Sequence, residues 1–267
     1  MTSDLALRYG DPDAVLGVTS DVLALQLAHR SVRAFLPEPI GDEVLEALVA
    51  AGQSAPTSSN LQPWSVVAVR DPARRQRLAE LAAEQAFVAQ APLFLAWVVD
   101  LGRARRIAEA AATGIDAADY LETTVIGFVD AALAAQNTLL AAESLGLGGV
   151  FVGALRNRPA DVAAELNLPD HTFAAFGLAL GRPDPEEQAG VKPRLPQQAV
   201  LHHEQYDADL ADEQIDTYDD RLAAYNHRFG LTGRWTDRVL SRLAGPQSMA
   251  GRHELRAHLE ARGLPSR

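Results

Sequence analysis

Four separated groups of residues in this chain are suited to holding a polar, phosphorylated ligand. The first is His29-Arg30-Ser31-Val32-Arg33, where two guanidinium groups, a hydroxyl and an imidazole fall within five residues. Arginine grips a phosphate monoester through paired, charge-assisted hydrogen bonds, so the cluster can cradle an anion. A solvated helix end with a capping serine presents the same residues. The second group is Ala55-Pro56-Thr57-Ser58-Ser59-Asn60-Leu61-Gln62-Pro63-Trp64. Its hydroxyls and amides offer short donors and acceptors to a heterocycle or a polyol chain. A tight turn asks for the same small polar residues.

The third group is Gly146-Leu147-Gly148-Gly149-Val150-Phe151-Val152-Gly153-Ala154-Leu155-Arg156. Its first glycines can close a helix and open a strand, while Gly153-Ala154 lets a flat ring approach backbone N–H groups. The order, helix before strand, is the reverse of what a dinucleotide fingerprint requires. The fourth group, Lys192-Pro193-Arg194-Leu195-Pro196, places two cations on a Pro-flanked turn. Such a turn can aim both charges at one anion or hold them in water. Lys192 is the one lysine among 24 basic residues.

Other chemistries are disfavoured. The chain has no cysteine, which removes disulfides, thiolate nucleophiles and Cys-ligated metals together. It lacks nucleophile-elbow, zincin, Walker and EF-hand patterns, and His202-His203 stands without spaced acidic ligands, so no metal site is expected. The net charge of −11 argues against a nucleic-acid partner. The apolar run from Val125 to Leu147 is interrupted by Asp130, Gln136, Asn137 and Glu143, so a buried helix is expected there and not a membrane span. Met1 to Gly10 has neither the basic start nor the apolar core of a secretory signal, and a cytoplasmic location is expected.

The elements that must position these groups follow from periodicity. Apolar spacing predicts helices over residues 21–29, 41–52, 74–87, 121–145 and 159–166, the long one ending at Gly146. Short apolar runs rich in Val, Phe and Trp predict strands at 64–69, 93–99, 149–155 and 173–180. With 48 % apolar and 22 % charged residues, the chain has the composition of a folded globular protein. Residues 207–220 hold seven acids and no base, whereas 226–267 hold eight arginines against three acids. This switch suits a tail lying on a partner subunit or ordinary solvated helices.

Taken in order, H-R-S-V-R at 29–33, A-A-E-S-L-G-L-G-G-V-F-V-G at 141–153, F-G-L-A-L-G-R-P at 176–183 and K-P-R-L-P at 192–196 resemble the nitroreductase superfamily, specifically its NADPH-dependent oxygen-insensitive nitroreductases and flavin reductases. The resemblance runs from about Leu25 to the C-terminus. It implies an α+β, nitroreductase-like fold: a central mixed β-sheet flanked by helices, in an intertwined homodimer with FMN at the interface. It divides the chain into an N-terminal extension (1–22), an FMN-binding core (23–206) and a C-terminal helical extension (207–267) packing on the partner subunit.

The resemblance also implies roles. His29, Arg30, Ser31, Lys192 and Arg194 look like ligands of the FMN phosphate and ribityl chain, and Arg33 like the cation beside flavin N1 and O2. Thr57, Ser59 and Gln62 match the family loop near the flavin, and Gln85 the amide at the ring's polar edge. Phe151, Val152, Gly153 and Ala154 match the segment along the ring. Arg228 and Arg252 align with arginines near the nicotinamide site, Arg228 as partner of the NADPH 2′-phosphate. No protein acid or base is required, because flavin N5 carries the chemistry; Arg33 acts electrostatically. The implied activity is two-electron transfer from NADPH to nitro compounds, quinones or similar small electron-poor acceptors. Alternatives are a flavin reductase supplying free FMNH2, a narrow tailoring enzyme, and a flavin storage or sensor protein. Phe151, where relatives carry Tyr, and Asn60, where a bulky residue can occur, are departures that bear on acceptor range.

Overall fold

The computed structural model describes residues 4–267. Helices α1 (Asp4–Tyr9), α2 (Asp21–Ala28) and α3 (Asp42–Gln53) precede strand β1 (Trp64–Val69). Next come α4 (Pro72–Leu81), α5 (Ala86–Gln90), β2 (Leu93–Asp100), α6 (Gly102–Ala110) and α7 (Leu121–Ser144). Then follow β3 (Gly148–Val152), α8 (Pro159–Glu165) and β4 (Thr172–Gly181). The chain ends with α9 (Ala208–Asp212), α10 (Ile215–Arg228), α11 (Trp235–Leu243) and α12 (Leu255–Ala261). It divides into two units: Ser31–Glu187 with Ala250–Arg267, and Met1–Arg30 with Gln188–Met249.

The larger unit is built on a four-stranded sheet of order β1-β2-β4-β3. All three strand pairings are antiparallel, and among the described residues a parallel element enters only as the isolated bridge Ser31–Gly149. The continuous apolar run of β2 reflects burial on both faces. Leu93, Leu95 and Trp97 join Leu48, Ala134, Leu139 and Leu178 on the side of α3 and α7. Phe94 and Ala96 join Leu78, Leu81, Val88 and Val162 on the side of α4, α5 and α8. This alternation follows the two-residue period of a strand. A third cluster closes over α12 through Phe173, Ala175, Leu259 and Leu264.

Helix α7 is long and apolar enough to cross a membrane, but here one side of it is buried in the protein. Asn137 Nδ2 and Thr138 Oγ1 donate to the carbonyls of Ala51 and Leu48, 3.3 and 3.1 Å away, which ties α7 to α3. Gly146, at φ +74°, ends the helix as its sequence predicts.

Two expectations are corrected. The helix predicted over 74–87 is split into α4 and α5, with Ala83 and Glu84 at positive φ. Both residue types favour helix, so the break is imposed by packing: Leu81, Ala82 and Val88 enter the core on either side of it. The strand predicted over 149–155 stops at Val152 and continues as a 3-10 turn from Gly153 to Asn157.

The smaller unit has its own core of Tyr218, Leu222 and Tyr225 with Leu195, Phe229 and Trp235. Asp219, 1 % exposed, accepts hydrogen bonds from the N–H groups of Trp235 and Thr236, the Thr236 hydroxyl and Arg234, and so caps the start of α11. Burial pushes its pKa up, but these donors outweigh burial and hold it below the ordinary carboxylate range.

Gly177 in β4 is overlain by Phe94, whose Cζ would lie 2.1 Å from an added Cβ. Gly177→Ala is expected to lower the unfolding free energy by about 1–3 kcal/mol, read as a lower denaturant midpoint. Gly114→Ala, whose Cβ would meet only Asp116 Oδ1 at 3.7 Å, serves as the control and should shift the midpoint little.

Candidate functional site

The loop after α3 is held from below by one buried acid. Asp130 of α7, 2 % exposed, accepts from the Thr57 hydroxyl through Oδ2 and from the Ser58 N–H, at 3.3 Å, through Oδ1. Thr57 Oγ1 in turn accepts the Gln62 N–H at 3.0 Å. Ser59, Asn60 and Gln62 all sit at positive φ, between 48° and 54°, a conformation that side-chain-bearing residues adopt at a cost. The hydrogen bonds to Asp130 and Thr57 hold that conformation, leaving Ser58, Ser59, Asn60 and Gln62 exposed.

Ser31 to Arg33, the part of the first sequence group that lies in the larger unit, meet the third group there. Ser31 bridges Gly149, and the Val32 N–H donates to the Gly149 carbonyl at 3.1 Å. The glycine at 148 makes this approach possible, since a Cβ there would fall 2.5 Å from Val32 Cγ2. Arg33 follows, exposed, with its backbone N–H on Glu187 Oε1 at 2.7 Å. At the end of β3, Phe151 is 39 % exposed and stacks edge-on against Phe176 with ring centroids 5.6 Å apart. Val152 and Leu155 are buried in the core cluster that holds Leu81 and Phe94.

Arg156 passes behind Gly153, where an added Cβ would come within 3.3 Å of its Nη2, and donates to the Ala175 carbonyl. Burial lowers its pKa, and the charge of Arg252 lowers it further. Two cations therefore stand close enough to interact beside the segment carrying Phe151 to Ala154. Gly251, at φ +85°, turns the chain toward Arg252, and its Cβ position lies 3.3 Å from the Asn157 carbonyl. Gln85 starts α5, and its Nε2 donates to the Ala82 carbonyl at 2.8 Å.

His29, Arg30, Lys192, Arg194 and Arg228 belong to the smaller unit. The Lys192 ammonium and the Arg228 guanidinium lie 5.7 and 5.6 Å from the centroid of the Tyr225 ring. One aromatic face system thus gathers two cations that stand far apart in sequence. The turn bearing Lys192 is pinned through its carbonyls. Tyr225 OH donates to Gly190 O at 3.0 Å and Tyr218 OH to Pro193 O at 3.1 Å, while Lys192 O accepts from Arg8 at 3.1 Å. Arg8 also donates to the carbonyl of His29.

The structure therefore brings Ser31 and Arg33 to Gly149, groups Thr57 with Gln62, sets Arg252 beside Arg156, and joins Lys192 to Arg228 and to the His29 segment. Asp130, Arg156, Tyr225 and Arg8 are given no binding role by the sequence, although Asp130 and Arg156 fall within runs noted there. Asp130 had a signal, being an acid within an apolar helical run, which burial obliges to find donors. The roles of Arg8, Arg156 and Tyr225 had none, because the carbonyls they bind are distant in sequence. Asp130→Ala strands the Thr57 hydroxyl and the Ser58 N–H. It should destabilise the fold by about 1–3 kcal/mol and raise hydrogen exchange across residues 57–62, with protection unchanged in β2 as the control.

The Nitroreductase family pattern matches residues 27–182, and that of the family's C-terminal domain matches residues 192–267. The chain is 40 % identical to the NADPH-flavin oxidoreductase of Vibrio harveyi over 247 residues, 90 % of this chain and 97 % of the relative. It is 39 % identical to the oxygen-insensitive NADPH nitroreductase of Salmonella typhimurium over 223 residues, 82 % of this chain and 90 % of the relative. Among solved structures, the NADPH:FMN oxidoreductase from Vibrio harveyi complexed with NAD+ superposes with a TM-score of 0.83 at 39 % identity, covering 93 % of this chain and all of that one. The motifs, the fold and the family match agree, and this chain belongs to the nitroreductase family.

Proposed function

We propose that the chain is an FMN-dependent oxidoreductase that takes two electrons from NADPH and passes them to nitro compounds, quinones or similar electron-poor acceptors, in ping-pong order. The observation that carries this reading is the pairing, in one unit, of two cation-bearing segments. The carbonyls of His29 and Lys192 share the Arg8 guanidinium, so His29, Arg30, Lys192 and Arg194 stand on neighbouring backbone. An imidazole, an ammonium and two guanidinium groups suit a phosphate dianion. The names of the relatives, an NADPH-flavin oxidoreductase and an NADPH nitroreductase, support the same chemistry.

The remaining residues fit the rest of an FMN. Thr57, Ser59 and Gln62 offer hydroxyls and an amide to the polar parts of the cofactor. Phe151 presents an apolar wall, and Gly153, lacking a side chain, leaves backbone N–H groups open to a ring. Arg33 supplies a fixed positive charge where the reduced ring carries negative charge, raising its reduction potential. Bound FMN supplies hydride acceptance and donation, which no side chain here offers. Arg228 takes the 2′-phosphate of NADPH, and Arg252 the neighbouring part of the nicotinamide site. Gln85 reaches the ring edge after giving up its bond to the Ala82 carbonyl.

A homodimer is part of this proposal. Leu121, Val125, Val129 and Leu133 leave α7 with an exposed apolar stripe at four-residue spacing, which a second copy would cover. Leu240 and Leu243 of α11, 71 % and 78 % exposed, suit the same role for the C-terminal extension. A second reading, in which free FMN is itself the acceptor, is favoured by the name of the Vibrio harveyi relative. It predicts that free FMN competes with a quinone for reducing equivalents.

The first test is an anaerobic absorbance spectrum before and after one equivalent of NADPH. A flavin spectrum should bleach within seconds and return on adding a quinone or nitrofuran. Bound flavin that stays oxidised would move the storage or sensor reading ahead, and absence of flavin binding would overturn the proposal. Arg228→Ala should raise KM for NADPH about tenfold while leaving that for NADH nearly unchanged, as loss of a charged hydrogen bond to phosphate predicts; equal effects on both coenzymes would remove Arg228 from the 2′-phosphate.

A further inference from the structure

Arg8 lies in α1, upstream of residue 27, where the family match begins. Leu5 and Ala6 anchor the helix in its unit at 6 % and 4 % exposure, and Arg8 itself is only 7 % exposed. A guanidinium removed from water must recover its hydration through hydrogen bonds. Three of the acceptors here are main-chain carbonyls. Nη1 donates to Lys192 O at 3.1 Å, and Nη2 to Leu27 O at 2.8 Å and His29 O at 2.5 Å. The Arg194 N–H donates back to Arg8 O at 2.8 Å. One residue of the N-terminal segment thus holds both segments assigned above to the cofactor phosphate.

The peptide plane turns these bonds into a constraint on direction. In a planar trans peptide the C=O and the next N–H point to opposite sides. With His29 O turned inward to Arg8, the Arg30 N–H is turned away from it. On the second segment the inward carbonyls of Gly190, Lys192 and Pro193 are each bonded, to Tyr225, Arg8 and Tyr218. The planar fork of arginine reaches carbonyls on two segments at once, which the compact ammonium of lysine cannot reproduce.

We propose that Arg8 is a positioning residue for the phosphate-binding cations: it fixes the main chain at His29 and Lys192 so that His29, Arg30, Lys192 and Arg194 are presented together to a phosphate monoester. This rests on the reading of those four residues as FMN phosphate ligands. The N-terminal segment is then a working part of the cofactor site and not a dispensable extension.

Riboflavin, which is FMN without its phosphate, separates positioning from general stability. Dissociation constants for both are measured by flavin fluorescence on full-length protein freed of flavin, for the wild type, Arg8→Gln and Arg8→Lys, with circular dichroism as the fold control. Arg8→Gln should weaken FMN about tenfold or more and leave riboflavin near its wild-type value; Arg8→Lys should lose part of the same preference. If Arg8→Gln does not fold, Arg8→Lys alone carries the comparison. An unchanged FMN-to-riboflavin ratio, whether both ligands bind as before or both weaken equally, would overturn the proposal, as would full FMN affinity in Arg8→Lys. A wild type that binds FMN no better than riboflavin would instead remove the underlying phosphate assignment, and the proposal with it.

Discussion

Most of the candidate ligands sit on turns and loops, where main-chain N–H and C=O groups have no ladder partners and must be satisfied some other way. In this protein, charged side chains drawn out of solvent supply many of those partners. Arg8 takes the carbonyls of Leu27, His29 and Lys192; Asp130 takes the Ser58 N–H and the Thr57 hydroxyl. Arg75 takes the carbonyls of Ala89 and Ala91 behind the corner at Gln85, and Arg156 that of Ala175 behind Gly153. Each pairing satisfies a charge drawn at least partly out of solvent and a stretch of irregular backbone together. The exposed polar side chains are presented by backbone that is held from within.

That arrangement requires a frame that does not move. The four antiparallel strands, apolar on both faces, are closed on one side by α3 and α7 and on the other by α4, α5 and α8. Asp130 is on α7, and Phe151 to Ala154 continue from β3, so the loop contacts inherit the position of the sheet and of its longest helix. Close packing at Gly148 and Gly177 leaves little slack, because an added methyl at either would meet Val32 or Phe94 well inside contact distance.

Electrostatics work locally against the overall charge. The chain carries −11, yet Lys192 and Arg228 flank one tyrosine ring, and Arg156 stands within reach of Arg252. Cations kept near one another repel; the Tyr225 face stabilises Lys192 and Arg228, and the Ala175 carbonyl stabilises Arg156. An anionic ligand would relieve that repulsion, which is the physical basis for reading these places as binding sites.

Local pattern determines the strands at 64–69 and 93–99, the long helix and its stop at Gly146, and the residue types fit to meet a phosphate, since each depends on neighbours within a few positions. The family motifs, carried by contiguous runs, are legible in the sequence for the same reason. The break of helix 74–87 at Ala83 and Glu84 is not, because good helix formers yield there to core packing. Nor are Arg8, Asp130, Arg156 and Tyr225 legible in their roles, since their partners come from distant parts of the chain. A residue's chemistry is written in its type, but what a buried charge is paired with depends on which backbone groups the fold leaves unsatisfied, and only the tertiary structure decides that.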